Sequence, residues 1–350
     1  MFWLKSVFDY LKLIKFTDSI NNLSIKLENK LISTFFMKIK NIFDKATLLL
    51  SATIVFYLSI VLFSDFSSFE GIKFDLFYLP IIISLLISHT LLSGFKYHRM
   101  LQSLEIKIPL LETQKIYLAG FALALTPGAF GTAAIKSELL KRKFGKSISS
   151  TILVLLVERW TELIAILIIS SFLLFFIFSY ESLSVLLVGI LFSVIFSILV
   201  SNSTTFNSIK KIILKIKYFK KLNSNIEESR RSFLVLTQKS VFLESLMYSV
   251  LTKTIHLFTV YFVFLMIGIN LEFFESGSIY YTSILLGNLS FLPAGIIVTE
   301  TGMIGLLMKH NVEFTLATIS VIIIRFVGTW SLAIAGTIAY PIVSKMKKDS

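Results

Sequence analysis

Long apolar segments separated by short polar stretches form the main pattern along this chain. A helix rises about 1.5 Å per residue, so about 20 apolar residues cross the roughly 30 Å hydrocarbon core of a bilayer. The pattern predicts six full spans, over residues 46–63, 76–93, 147–178, 183–200, 241–269 and 314–340. Long apolar runs without strand-like alternation predict an all-α polytopic membrane helical bundle rather than a β-barrel.

Two other apolar segments are broken by proline and glycine. The first, 116–126, is only about eleven residues long, which is too short to span. Proline lacks an amide donor and glycine loosens the backbone, so a helix is expected to end at each break. Both segments are therefore predicted to be re-entrant hairpins. Their breaks contain Thr126, Pro127, Gly128 and Gly131 in the first segment, and Pro293 and Gly295 in the second.

Each break is followed by an arginine at the same distance. Arg159 lies 32 residues after Pro127, and Arg325 lies 32 residues after Pro293. A doubled broken segment in a membrane chain is typical of transporters built from repeats. The sequence therefore predicts one transmembrane domain over 46–341, made of two repeats, about 46–178 and 183–341.

Composition agrees with a membrane protein. The chain has 350 residues, of which 55% are hydrophobic and 16% charged, with a mean hydropathy of +0.82. It contains no cysteine, which excludes disulfides and thiolate metal sites. Residues 1–45 combine lysines with apolar residues at near-helical spacing. They are predicted to form an interfacial amphipathic extension on the cytoplasmic face, with a plain cytoplasmic extension as the alternative.

The net charge of +13 is explained by membrane topology. With the predicted spans, 29 of the 34 lysines and arginines fall on one side, nine of them in the basic loop 201–240. The positive-inside rule makes this side cytoplasmic, so both termini are predicted to face the cytoplasm of a cell membrane. No nucleic-acid partner is needed to explain the charge. The two hairpins then open to opposite faces, which predicts an inverted repeat.

Arg159 and Arg325 are placed near the middle of the bilayer. An arginine at that depth costs about 2.5–3.5 kcal/mol even on insertion scales, so it is expected to face a cavity or a partner. One hypothesis is that the two guanidinium groups bind an anionic lipid head group, because the guanidinium fork suits phosphate. The other is internal ion pairing, of Arg159 with Glu162 or with Glu300.

The ends of the half-helices supply a second potential anion site. Backbone N–H groups at a helix N-terminus favour negative charge. The expected lining residues are Thr126, Pro127, Gly128 and Gly131 in the first hairpin, and Pro293, Gly295 and Glu300 in the second, although glycine also serves close helix packing. Three other ionisable residues inside spans, Glu158, Glu162 and Lys253, are candidates for a coupling proton or for ion pairs. No catalytic, metal or cofactor motif is found, so the chain is expected not to be an enzyme.

These residues give the chain a resemblance to the flippase-like transmembrane region of lysylphosphatidylglycerol synthases and their stand-alone relatives, over roughly residues 40–340. The resemblance implies translocation of a phosphate-bearing polar lipid, without synthase activity because no aminoacyl-transfer domain is present. The family usually has Gly-Glu where this chain has Gly131-Thr132. The matching motifs are Thr126-Pro127-Gly128-x-x-Gly131, Lys136, Leu139-Leu140-Lys141, Glu158-Arg159, Pro293-x-Gly295, Glu300, Gly302 and Arg325.

Two other functions are compatible with the sequence. A membrane-embedded transferase acting on a polyprenyl-phosphate lipid would need clustered acids, whereas the acids in the predicted outer loops are scattered singly. An accessory subunit would hold a partner synthase or glycosyltransferase at the membrane, with loop 201–240 binding that partner or anionic lipid.

Overall fold

The computed structural model describes residues 74–124, 130–201, 223–290 and 292–345. Over these residues the chain is all-α, and no strand occurs in them. The predicted extension 1–45 and the first predicted span, 46–63, lie outside the described residues. The helices are α1 (Leu79–Ser103), α2 (Leu110–Gly120), α3 (Phe130–Phe144), α4 (Ile148–Phe176), α5 (Tyr180–Ser201), α6 (Asn223–Leu236), α7 (Lys239–Ile267), α8 (Phe273–Leu289), α9 (Val298–Lys309), α10 (Phe314–Arg325) and α11 (Ser331–Lys345).

The remaining predicted spans correspond to helices. Within the described residues, three helical segments are long and apolar enough to cross a membrane, and they cover Leu76–Ser103, Lys239–Ile267 and Phe314–Lys345. Helix α4 has 29 residues and α5 has 22, although α4 carries three charged residues. The protein is thus an all-α polytopic membrane bundle.

Helix α1 is longer than the sequence pattern predicted. The predicted span ended at Ser93 and placed Lys96 in a cytoplasmic loop. The helix instead continues to Ser103, and Lys96 is 1% exposed. A lysine tolerates this burial because its ammonium group finds a carboxylate and a hydroxyl on neighbouring helices.

The predicted basic loop 201–240 is also partly helical. Its second half forms α6, and the side chains of Phe233 and Leu236 are buried in the bundle. The ring of Phe233 stacks on Trp160 of α4, with centroids 6.3 Å apart. This apolar face is why the segment packs onto α4 rather than staying a solvated loop.

The two predicted hairpins are present as pairs of short helices. Helices α2 and α3 flank residues 125–129, which lie outside the described part, while α8 and α9 flank the turn Pro293–Gly295. The arms approach closely at a glycine in each hairpin. A Cβ at Gly120 would lie 3.3 Å from Thr132 Cγ2, and one at Gly287 would overlap Thr299 Oγ1.

The last span is interrupted next to an arginine. A π-helical turn, Phe326–Trp330, separates α10 from α11 and begins directly after Arg325. Helix α11 then packs on the first hairpin at backbone distance, since a Cβ at Gly336 would lie 2.5 Å from the amide nitrogen of Ala122. The last span therefore carries Arg325, which follows the second hairpin, and its final helix packs against the first hairpin.

Candidate functional site

Three cations converge on the carboxylate of Glu162. Lys96 Nζ lies 3.3 Å from Oε1, while Lys253 Nζ and Arg159 Nη1 lie 3.2 and 3.1 Å from Oε2. The four residues come from three helices, α1, α4 and α7. We call this group, Lys96, Arg159, Glu162 and Lys253, the Glu162 cluster. Its sequence separations of up to 157 residues mean that only the packing of the bundle brings it together.

The Glu162 cluster lies at mid-length of its helices. Glu162 is the central residue of α4, and Lys253 is the central residue of α7, each helix having 29 residues. At 1.5 Å per residue both side chains start about 21 Å from either end of their helix. The cluster is therefore placed where uncompensated charge is most costly in a membrane.

Exposure increases from one side of the cluster to the other. The side chain of Lys96 is 1% exposed, Glu162 is 14%, Lys253 is 19% and Arg159 is 43%. Lys96 also donates to Ser249 Oγ, which donates in turn to Thr161. The buried side is thus fixed by hydrogen bonds, and Arg159 forms the accessible side.

A second ion pair connects the first hairpin to α4. Lys136 Nζ of α3 lies 3.2 Å from Glu158 Oε2, and both side chains are almost fully buried. The ammonium group also lies over the rings of Tyr97 and Tyr117, at 4.5 and 4.1 Å from their centroids. Cation–π contact stabilises a desolvated ammonium group. Glu158 Oε1 has no hydrogen-bond partner among the described residues.

A third ion pair holds the tip of the second hairpin. Arg325 Nε donates to Glu300 Oε1 at 2.6 Å, and Nη2 donates to the carbonyl oxygen of Ala294 at 2.7 Å. Glu300 lies in the first turn of α9, where a negative charge also meets the positive end of the helix dipole. The anion position at this helix terminus is therefore taken by a carboxylate of the protein itself.

The backbone of this tip is in unusual conformations. Ala294, Gly295 and Ile297 have φ values of 51°, 65° and 74°. Positive φ is uncommon for alanine and an outlier for a β-branched residue such as isoleucine, and such strain is concentrated at functional sites. The Arg325 contact to the Ala294 carbonyl is one of the interactions that hold this conformation.

The predicted site residues fall into separate groups. Arg159 belongs to the Glu162 cluster, whereas Arg325 pairs with Glu300 and is 8% exposed. Glu158 pairs with Lys136, and Lys253 pairs with Glu162. Gly131 lies in the first turn of α3, and Pro293 and Gly295 belong to the second tip. Thr126, Pro127 and Gly128 lie outside the described residues.

Two site residues had been assigned to the cytoplasmic side. Lys96 and Lys136 were counted with the basic loops, but both are buried in ion pairs. The sequence did carry a signal for Lys96, since Phe95, Tyr97, Met100 and Leu101 continue the apolar helical pattern beyond Ser93. Lys136 sits in a similar position between Ile135 and Leu139.

Contacts near the helix ends agree with the predicted sides. Lys309 and Glu181, both predicted on the outer side, pair at 2.5 Å, and this hydrogen bond lowers the pKa of the Glu181 carboxyl. Asp75, also predicted outside, donates its amide to the Met266 carbonyl near the end of α7. Within the described residues, no group of three or more potential metal ligands occurs.

Comparison with known proteins gives a family match over most of the chain. Residues 46–336 match the family model described as lysylphosphatidylglycerol synthase TM region. A UPF0104 membrane protein of Methanocaldococcus jannaschii is 28% identical, over 64% of this chain and 95% of its own. A UPF0104 membrane protein of Pyrococcus horikoshii is 24% identical, over 71% and 82%. No solved structure matches the chain.

Proposed function

The chain belongs to the family of the lysylphosphatidylglycerol synthase transmembrane region, and from this premise we propose that it is a lipid translocase. Its substrate is a phosphate-bearing polar lipid or a lipid-linked intermediate, which it moves across the cell membrane without chemical change. A membrane lipid-related role agrees with the family. The step from that role to translocation rests on the charged residues inside the bundle.

The observation that carries the proposal is the Glu162 cluster. A membrane protein keeps charges at mid-span only where they serve a partner, a pathway or a substrate. Here the accessible member is an arginine, whose planar fork binds phosphate oxygens in pairs. A polar head group passing through the bundle would meet Arg159 at the level of the bilayer centre.

The two hairpins support an alternating mechanism. In each, a glycine of the first arm approaches a threonine twelve residues later, as in Gly120–Thr132 and Gly287–Thr299. In each, the second arm forms an ion pair with the following span. These likenesses favour an inverted repeat, in which rocking of the halves exposes a central site to each face in turn. Arg325 would act by holding the second tip in position.

The arrangement of acids favours translocation over transfer chemistry. Glu158, Glu162 and Glu300, which are all buried or nearly so, each lie against at least one cation. A carboxylate already engaged by a cation of the protein is poorly placed to exchange a proton with a substrate, as general acid–base catalysis requires. Transport of an unchanged lipid needs no such group.

A reconstituted assay tests the proposal. Purified protein is placed in liposomes containing a phospholipid with a fluorescent head group, and a membrane-impermeant reductant reports how fast the label reaches the outer leaflet. We expect the protein to accelerate exchange relative to protein-free liposomes. We expect Arg159→Gln to slow it about tenfold or more, because a charge-assisted hydrogen bond is worth about 1.5–3 kcal/mol.

The matched control is Arg99→Gln. Arg99 also pairs with a glutamate, Glu244, and is about as exposed as Arg159, but it lies one turn from the end of α1 rather than at mid-span. This variant is expected to exchange lipid at the wild-type rate. Full transport by both Arg159→Ala and Arg325→Ala would contradict the assignment of the arginines, and no exchange by the folded wild type with any phospholipid would contradict translocation.

A further inference from the structure

The charges around α4 do not balance. Glu158 and Glu162 lie four residues apart on one face of α4, and their ion-pair partners are Lys136, Lys96, Arg159 and Lys253. Among the described residues, two carboxylates therefore face four cationic groups, with a formal excess of two positive charges. An excess of this kind at mid-span is costly unless an anion joins the site.

The single carboxylate of Glu162 also has too few oxygens for its three cations, and its contacts with them are long. Oε1 accepts from Lys96, while Oε2 is shared by Arg159 and Lys253, and the three contacts measure 3.1–3.3 Å. Charge-assisted N–H···O contacts are normally about 2.7–2.9 Å. A tetrahedral phosphate group, with up to four oxygens, would offer Arg159 and Lys253 an oxygen each and would leave the Glu162 carboxylate to Lys96.

We propose that Arg159 and Lys253 form a binding site for a phosphate group, and that Glu162, anchored by Lys96, is the resident counter-anion of the empty site. An arriving phosphate takes over the contacts to Arg159 and Lys253, the two more exposed cations. Lys96 keeps its contact with Glu162 at the buried side, where Ser249 also holds it. The inference rests on the proposed function in taking the ligand to be the phosphate of a lipid.

This arrangement explains why an internal carboxylate is present in an anion site. Without ligand, three unpaired cations at mid-span would repel one another and destabilise the bundle. With Glu162 in place, the empty protein is stable, and the ligand must compete with the carboxylate. Competition lowers the apparent affinity, which favours release after passage.

Direct binding to the purified protein in detergent tests the inference without transport. The melting temperature is followed by intrinsic fluorescence while one of three probes is titrated: inorganic phosphate, dihexanoyl phosphatidic acid, or neutral dihexanoylglycerol. A ligand that binds only the folded state stabilises it by RT ln(1 + [L]/Kd), so the concentration dependence of the melting temperature reports the affinity. The variants are Glu162→Gln and Lys253→Gln, with Glu112→Gln as the matched control, because Glu112 in the first turn of α2 also pairs with two lysines, Lys115 and Lys143.

We expect Glu162→Gln to melt below wild type without ligand and to bind phosphate and the phosphatidic acid about tenfold more tightly, because the internal competitor is gone. Lys253→Gln is expected to bind both about tenfold more weakly than wild type. Glu112→Gln should also melt early, because it leaves two lysines without their carboxylate, but its affinity for the probes should equal that of wild type. Binding of the phosphatidic acid alone would still support the site, and it would make the lipid rather than free phosphate the source of the phosphate group.

Several results would overturn the inference. These are an affinity of Glu162→Gln for the phosphatidic acid that is unchanged or weaker, an affinity of Lys253→Gln for it that is unchanged, or equal stabilisation by neutral dihexanoylglycerol. If Glu162→Gln does not fold, the double variant Glu162→Gln/Lys253→Gln is used, because it removes one charge of each sign and keeps the net charge of wild type. It must fold and bind the phosphatidic acid more tightly than Lys253→Gln alone. Binding as expected without lipid exchange would contradict only the translocase function, whereas exchange unaffected by Lys253→Gln would contradict only the site.

Discussion

At the scale of residues, the two hairpins use ion pairs of opposite arrangement. In the first, the hairpin supplies the cation, Lys136, and the following span supplies the anion, Glu158. In the second, the hairpin supplies Glu300 and the following span supplies Arg325. Each pair is almost fully buried, so its members depend on each other: removing one partner leaves an uncompensated charge inside the bundle.

Replacing Lys136 alone is therefore expected to be strongly destabilising. Lys136→Met keeps the aliphatic bulk between Tyr97 and Tyr117 but leaves the Glu158 carboxylate without its cation, and we expect a loss of about 3–5 kcal/mol in unfolding free energy. Reversible unfolding in detergent measures the change.

Two further variants decide whether the ion pair is the cause. Lys136→Met/Glu158→Gln removes both charges and should recover most of the loss, because a neutral pair needs no compensation. Arg99→Met breaks the exposed pair with Glu244 and should change stability by less than about 1 kcal/mol. A double variant as unstable as Lys136→Met would show that packing of the lysine, and not its charge, is what matters.

At the scale of elements, α11 and the first hairpin are fitted at backbone distance. A Cβ on Gly336 would lie 2.5 Å from the amide nitrogen of Ala122 and 2.6 Å from the carbonyl carbon of Phe121. Backbone atoms cannot swing aside as a side chain does. Small residues allow this close approach between helices in membranes, where packing replaces the hydrophobic effect as the force for association.

Gly336→Ala is expected to destabilise the protein by about 1–3 kcal/mol, the usual cost of overpacking a well-packed contact. The matched control is Gly305→Ala in α9, where a Cβ would meet no atom within 4 Å. That change should be neutral or stabilising by up to about 1 kcal/mol, since alanine is the better helix former. Thermal unfolding of both variants in the same detergent makes the comparison, and equal melting temperatures would contradict the tight fit.

At the scale of the whole molecule, the orientation of the bundle in the cell membrane is a prediction from charge. The chain has no cysteine, so single cysteines can be introduced on a background that gives no labelling of its own. Tyr180 lies at the start of α5, on the predicted outer side, and is 79% exposed. Gln238 lies between α6 and α7, on the predicted cytoplasmic side, and is also exposed.

In intact cells, Tyr180→Cys is expected to react with a membrane-impermeant maleimide, and Gln238→Cys is expected to react only after the membrane is permeabilised. The physical reason is the excess of lysine and arginine that keeps the Gln238 side in the cytoplasm. The unmodified chain is the control for background labelling. The opposite pattern of labelling would mean that the chain is inserted the other way round.

Much of the architecture followed from the order of residues alone. Apolar runs located five spans, which contain six of the described helices, and proline with glycine located both hairpins. The ends of elements were less certain: α1 runs ten residues beyond its predicted end, and α6 forms inside a predicted loop. In both places apolar residues continue along one side of the helix while charged residues occupy the other side. A count of charges along the chain does not show which side of a helix each residue lies on.

The sequence by itself determined the class of protein, the positions of the long helices in the described part of the chain, and the presence of charged residues within them. These depend on local hydropathy and on the backbone limits of proline and glycine, which act over one helix at a time. Only the tertiary structure decided the partners of those charges. Glu162 meets Lys96 and Lys253 across 66 and 91 residues of chain, and Arg325 turns to Glu300 rather than joining Arg159. Buried charges are stabilised by whichever opposite charge the packed helices bring within reach, and that is a property of the assembled bundle.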